Sequence, residues 1–270
     1  MVAADVERHC RDCYNVAMFG FLTILASLCE IIFPTFMLCL TYPFSKKAAV
    51  FWSDYITCRS ARVVFGIMKL YRDFSFLGEK ESLAILPEQY VVVSNHQSLF
   101  DIAALFRFLG GKRTRFVAKD TLVRVPMVGK MLKAQRHCMV PRKGSPTVSM
   151  GALDKFSSQV VKENQIPVIF PEGTRSRDGS VGKFYSAGFR RLAEKTALPI
   201  AVFALDGGWK IAKLGEILTN LHRGVYRVKA LKVFPPPQTK EEEKRILDEA
   251  RELIVGQLAA WRALPSASNG

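Results

Sequence analysis

The sequence predicts an α/β protein: a mostly parallel central sheet flanked by helices, preceded by an N-terminal apolar membrane-anchoring helix or helical hairpin. Three observations lead there. From about residue 85 short β-branched runs alternate with helix-length segments, as in strands joined by helical crossovers. A run at 16–44 is almost wholly apolar and exceeds the roughly 20 residues that span a bilayer. The net charge of +15 over 270 residues points to an anionic partner.

The apolar run comes first. Glu30 and Pro34 lie inside it. A carboxylate at the bilayer centre is costly, and proline removes a helical hydrogen bond. The pair therefore favours two short helices, about 16–30 and 33–44, dipping into one leaflet, over a single kinked span. The run has no basic lead and no clean cleavage site, so a signal peptide is not expected. Lys46, Lys47, Arg59 and Arg62 follow it and place the rest of the chain on the cytoplasmic side by the positive-inside bias. The cysteines (10, 13, 29, 39, 58 and 138) show no disulfide spacing and read as reduced thiols. His9, Cys10 and Cys13 lack the second pair that a tetrahedral metal site needs, so no metal is expected.

Strands are expected at 90–94, 115–118, 138–141, 166–170, 199–205 and 226–234, with helices at 101–109, 121–134, 147–164 and 186–196. Residues 239–261 form an amphipathic helix, with Ile246, Ala250, Leu253, Ile254, Leu258 and Trp261 on one face and Thr239 with Glu242 as a capping box. The expected organisation is an anchoring region at 1–62, an α/β domain at 63–263 and a disordered tail at 264–270.

Two segments carry chemistry. His96 follows the strand at 90–94, within Asn95-His96-Gln97-Ser98-Leu99-Phe100-Asp101. The carboxyl end of a parallel strand is where ligands bind. A histidine just before a helix can swing its ring to a carboxylate in the first turn, which fixes the tautomer and stabilises the imidazolium. Such an imidazole is a general base for an alcohol. The second segment is Phe170-Pro171-Glu172-Gly173-Thr174-Arg175-Ser176. Gly173 permits a left-handed turn and close backbone approach. Thr174, Arg175 and Ser176 offer donors, and a guanidinium grips phosphate bidentately. Glu172 is expected to orient Arg175 or another cation. Lys119 and Arg142, each ending a strand, extend the clamp. From these residues alone Asn95 and Asp101 also suit helix caps, and 172–176 suits a salt-bridged surface turn. Together the segments describe attack by a hydroxyl on a phosphate-bearing molecule.

At these two blocks the sequence resembles the phospholipid acyltransferase family that includes the 1-acylglycerol-3-phosphate acyltransferases. The family's Asn-His, four residues, Asp pattern is matched by Asn95, His96 and Asp101, and its Phe-Pro-Glu-Gly-Thr-Arg-Ser block by Phe170 to Ser176. A middle block looks like Lys119, Pro126, Gly129 and Arg142, and a later one like Leu198-Pro199-Ile200. The resemblance implies direct transfer. His96, paired with Asp101, deprotonates a lysophosphatidate-type acceptor, which attacks an acyl-CoA or acyl carrier protein thioester. Asn95, Lys119, Arg142 and Glu172 to Ser176 are then substrate-binding. It implies no metal or organic cofactor. The apolar run and basic surface, including residues 111–115 and Arg190-Arg191, would hold the protein at a bilayer. Another lyso-lipid acceptor and a non-catalytic lipid-binding protein stay open as alternatives. The basic residues are dispersed and the aromatics lie in apolar runs, so nucleic acid is not expected as a partner.

Overall fold

The computed structural model describes residues 2–110, 113–125, 128–141, 145–212, 216, 220–222 and 224–264, without the side chains of 2–14, 16 and 17. The side chains of His9, Cys10 and Cys13, together with Pro126, Arg142 and nearly all of the expected tail, lie outside the described residues.

The apolar run is one continuous helix, α1 (Val2–Thr41), with Pro34 inside it. Of the two expected forms it is the single helix, without the break favoured between 30 and 33. Pro34 deprives the carbonyl of Glu30 of its helical donor. Ser60 answers from outside: its hydroxyl lies 3.5 Å from the Glu30 carbonyl and donates to the Glu30 carboxylate at 3.0 Å. The chain turns instead at 42–45 and packs back on α1 through α2 (Lys46–Asp54), a π-helical turn (Tyr55–Ser60) and α3 (Ala61–Arg72). Lys46 and Lys47 thus follow the hairpin's own turn, and Arg59 and Arg62 lie on its returning arm.

Seven strands make one sheet in the order β1-β7-β6-β2-β5-β3-β4. They are β1 (Ser75–Gly78), β2 (Val91–Ser94), β3 (Thr114–Lys119), β4 (Cys138–Val140), β5 (Ile166–Ile169), β6 (Ile200–Asp206) and β7 (Val225–Phe234). All pairings are parallel except β6 with β7. The strand β1 was not expected: four residues beginning at a serine carry no alternation to read. The helices α4 (Phe100–Leu109), α6 (Pro146–Lys162) and α7 (Ser186–Thr196) fall close to expectation. The expected helix at 121–134 is a 3-10 turn (Asp120–Arg124) followed by the short α5 (Val128–Ala134). The last helix, α8 (Lys240–Ala263), is capped by Thr239, which accepts from the Glu242 N–H at 3.2 Å.

Pleating sends alternate residues of each strand to opposite faces. Val92, Val168 and Phe203 pack with Phe65 and Met68 of α3 and Leu105 of α4. Val91, Val93 and Val202 pack with Phe156 of α6, Phe189 of α7 and Ile246 and Trp261 of α8. The carboxyl ends of β2, β3, β5 and β6 and the start of β7 therefore share one edge of the sheet.

A buried polar chain joins the hairpin to this sheet. Gln135 donates to Asp54 at 3.3 Å and to Thr57 at 3.1 Å. Its carbonyl oxygen lies 3.0 Å from His137 Nε2, while His137 Nδ1 accepts the Phe116 N–H at 2.8 Å. An accepting Nδ1 means that Nε2 carries the proton and donates. Burial, and secondarily the charge of Arg115, push the His137 ring down to about 3. The unfolded chain would protonate it near 6.5. The contribution is thus complete above about pH 6.5 and lost as pH falls toward 3. Wild-type melting temperature should decline as pH drops from about 6.5 to 5, and H137Q should decline less. Parallel profiles would contradict the assignment.

Candidate active site

The loop after β2 and the first turn of α4 bring His96 to Asp101. His96 Nδ1 lies 2.7 Å from Asp101 Oδ2. The same oxygen accepts the backbone N–H groups of Gln97 at 2.5 Å and Ser98 at 2.9 Å. Asp101 has no solvent exposure. Burying a carboxylate is costly unless donors meet its oxygens, and the two N–H groups and the first turn of α4 do so here.

The second segment docks on the first through His96 itself. The Ser176 N–H donates to the His96 carbonyl at 2.8 Å. Phe170, at the end of β5, stacks under the imidazole with ring centres 4.2 Å apart and planes 12° from parallel. Glu172 spans the join: Oε1 accepts the His96 N–H at 2.8 Å and Oε2 accepts the Gly182 N–H at 2.9 Å. Its burial raises the carboxyl above the ordinary range, against the pull of those two N–H groups. The expectation that Glu172 orients a cation is therefore replaced: its oxygens fix two pieces of backbone. Asn95 is corrected likewise. It donates to Leu205 O at 2.8 Å and accepts from Leu205 N at 2.9 Å, so it brackets β2 to β6 from within the core rather than facing a substrate.

His96, Gly173, Thr174 and Arg175 line one cavity of about 370 Å³, and Lys119 at the end of β3 lines it too. Its apolar lining includes Leu99, Ile102, Phe116, Leu122 and Val140. Gly173 holds φ = +63°, which lets the turn present its backbone to the opening. Ser176 turns its hydroxyl to Asp178 at 3.1 Å. Asp178 is held down to about 2, chiefly by the Ser180 hydroxyl, then by the Ser180 N–H and Ser176. The proposed base and guanidinium thus share an opening, while Asn95 and Glu172 support it from behind. Arg142 lies outside the described residues. Among the described residues no group of three or more His, Cys, Asp or Glu is placed to hold a metal.

Sequence reasoning missed Phe170 as the ring beneath His96 and Tyr226, whose hydroxyl donates to Asp101 Oδ1. It also missed the grip of α8. Arg251 donates to Gly182 O at 2.9 Å and Val181 O at 3.1 Å, and Arg262 pairs with Asp206 at 2.7 Å. The basic groups expected to face lipid are largely engaged within the protein: Arg190 with Glu243, Arg191 with Asp154, and Arg113 with Asn164 and the Glu88 carbonyl.

Glu172→Gln should lower stability by about 1–3 kcal/mol, because its NH₂ would meet a backbone N–H that now has an acceptor. Denaturant melts test this, and an unchanged midpoint would remove the bracket.

Comparison with known proteins agrees with this geometry. The Acyltransferase family profile matches residues 79–205. A chloroplastic 1-acyl-sn-glycerol-3-phosphate acyltransferase of Brassica napus is 32% identical over 148 residues, covering 52% of this chain and 42% of that protein. The 1-acyl-sn-glycerol-3-phosphate acyltransferase of Saccharomyces cerevisiae is 31% identical over 203 residues, covering 74% of this chain and 65% of that protein. The chain spans less than half of the Brassica protein and about two thirds of the yeast one. The crystal structure of the 1-acyl-sn-glycerophosphate (LPA) acyltransferase from Thermotoga maritima superposes with a TM-score of 0.64 at 18% identity, covering 94% of this chain and 99% of that one; it shares the fold. With its two motif blocks meeting at one opening, the chain carries an acyltransferase-family domain over residues 79–205.

Proposed function

We propose that the protein transfers an acyl group from acyl-CoA or acyl carrier protein to the free hydroxyl of lysophosphatidate, giving phosphatidate. One observation carries this: His96, held by Asp101, and Arg175 border the same cavity, which apolar side chains also line. The names of the relatives support the acceptor.

With Nδ1 engaged by Asp101, Nε2 is the ring nitrogen left to the acceptor. It takes the hydroxyl proton as the oxygen attacks the thioester carbonyl carbon. The tetrahedral intermediate collapses, the C–S bond breaks, and the imidazolium returns the proton to the departing thiolate. Asp101 stabilises the imidazolium between these steps without being protonated itself. Arg175, with Lys119, holds the phosphate, and the apolar lining takes the acyl chain. The reaction draws on no metal or organic cofactor.

Membrane attachment is part of the same proposal. Among the described residues one helical stretch, Met18–Thr41, is long and apolar enough to cross a bilayer. Phe21, Leu25, Ile32, Phe36 and Leu40 are exposed along it, and Phe44 at the hairpin's turn is 84% exposed. A surface this apolar marks a membrane or protein contact, and an acceptor held in a leaflet favours the membrane. The cysteine spacing keeps the cytoplasm as the proposed side.

The test is lipid analysis of the purified protein in mixed micelles, with palmitoyl and oleoyl thioesters and a panel of lyso-acceptors. Phosphatidate should form with wild type and be lost with H96A. R175A should raise the acceptor KM about tenfold or more, the worth of a charged hydrogen bond. Preferred transfer to another lyso-lipid would replace the acceptor, and no transfer to any would favour a lipid-binding role. In vesicle flotation, Phe21→Asp with Ile32→Asp should release the protein, and unaltered flotation would place the anchor elsewhere.

A further inference from the structure

The geometry points to Tyr226 as a positioning residue of the His96–Asp101 pair: its hydroxyl holds the far oxygen of Asp101 so that the near one stays on the imidazole. This rests on the reading of His96 as the base.

Asp101 has two oxygens with different company. Oδ2 takes His96, Gln97 N and Ser98 N. Oδ1 takes the Tyr226 hydroxyl and a long contact from the Ser98 hydroxyl at 3.4 Å. The Gly208 backbone closes the space behind it: a Cβ there would sit 2.7 Å from Oδ1. A substitute donor such as water is thus kept out on that side. Without Tyr226 a fully buried carboxylate oxygen would keep only the weak serine contact.

Tyr226 is built for the task. It is fully buried at the start of β7, 125 positions from its partner. Its ring stacks on Phe76 of β1 at 6.2 Å and meets Phe65 of α3 edge-on at 6.0 Å. Burial, then the charge of Asp101 and the hydrogen bond to it, keep the phenol protonated far above its ordinary range, so it acts as a donor. It lies beyond the residues that the family profile covers.

An O–H donating to a carboxylate is a strong, charge-assisted bond. It draws the charge of Asp101 toward Oδ1 and fixes the plane of the carboxylate. Without it the charge gathers on Oδ2, the imidazolium keeps its proton to higher pH, and the ring is less well aimed.

The test is Y226F in the full chain, assayed in mixed micelles across pH. Phenylalanine retains the ring and its contacts with Phe65 and Phe76, so only the hydroxyl is removed. The kcat should fall about tenfold or more, with the acceptor KM changed less than about twofold. The acid limb of the kcat–pH profile should move up by about one unit. Y90F removes another buried phenol, stacked on Phe203 away from the cavity, and should move neither quantity. Wild-type kcat and an unmoved limb in Y226F would overturn the proposal, as would a loss of kcat with an unmoved limb and a lower melting point, which assigns the residue to packing alone. H96A separates the two readings. Turnover there removes the base and this proposal with it, whereas a silent H96A beside a wild-type-like Y226F removes only this one.

Discussion

A carboxylate with no access to water must have its charge met by the protein, and Asp101 imposes that demand on everything around it. The demand explains why α4 begins where it does: its leading N–H groups point at the carboxylate, whose charge suits a helix N-terminus. It explains a glycine at 208, where any side chain would intrude on the oxygen. It also gives a reason for an antiparallel strand at the end of a parallel set, since β7 starts at the sheet edge where a donor is needed.

A second buried carboxylate does comparable work on the backbone. Glu172 ties the strand-end loop of His96 to residue 182, and Arg251 holds that segment from α8. A third, Asp206, accepts from Gln97 at 3.2 Å and pairs with Arg262. Gln97 in turn accepts the Gly208 N–H at 3.0 Å. The last helix of the chain thus reaches the residue next to His96 through two side chains. Rigid support of this kind keeps a catalytic group within the small displacement that chemistry tolerates.

What the sequence disclosed follows from how far apart the interacting residues are. The central strands were readable because runs such as Val91–Val93 suit a buried parallel sheet and little else. His96 and Asp101 were readable because five positions separate them and a strand end precedes them. Glu172 was found but misassigned, since its partners are 76 and 10 positions away and are backbone groups, which no composition reveals. Tyr226 was read only as the first residue of a strand. Pro34 misled for a similar reason: the hydroxyl that holds the helix one turn before it, Ser60 on the Glu30 carboxylate, belongs to the returning arm of the hairpin. Local chemistry was visible, and its long-range complements were not.

The contact between Phe65 and Tyr226 bears on what the hairpin is. A mere tether could be severed with the globular part left whole. Here the returning arm, α3, contributes an aromatic ring to the core directly behind the residue that braces Asp101, and Met68 beside it is buried in the same core. The returning arm is thus a buttress of the core. Removing α3 would open the core that α1 and α3 close together, and shortening the chain to the family's matched segment would leave the His96–Asp101 pair without its backing wall.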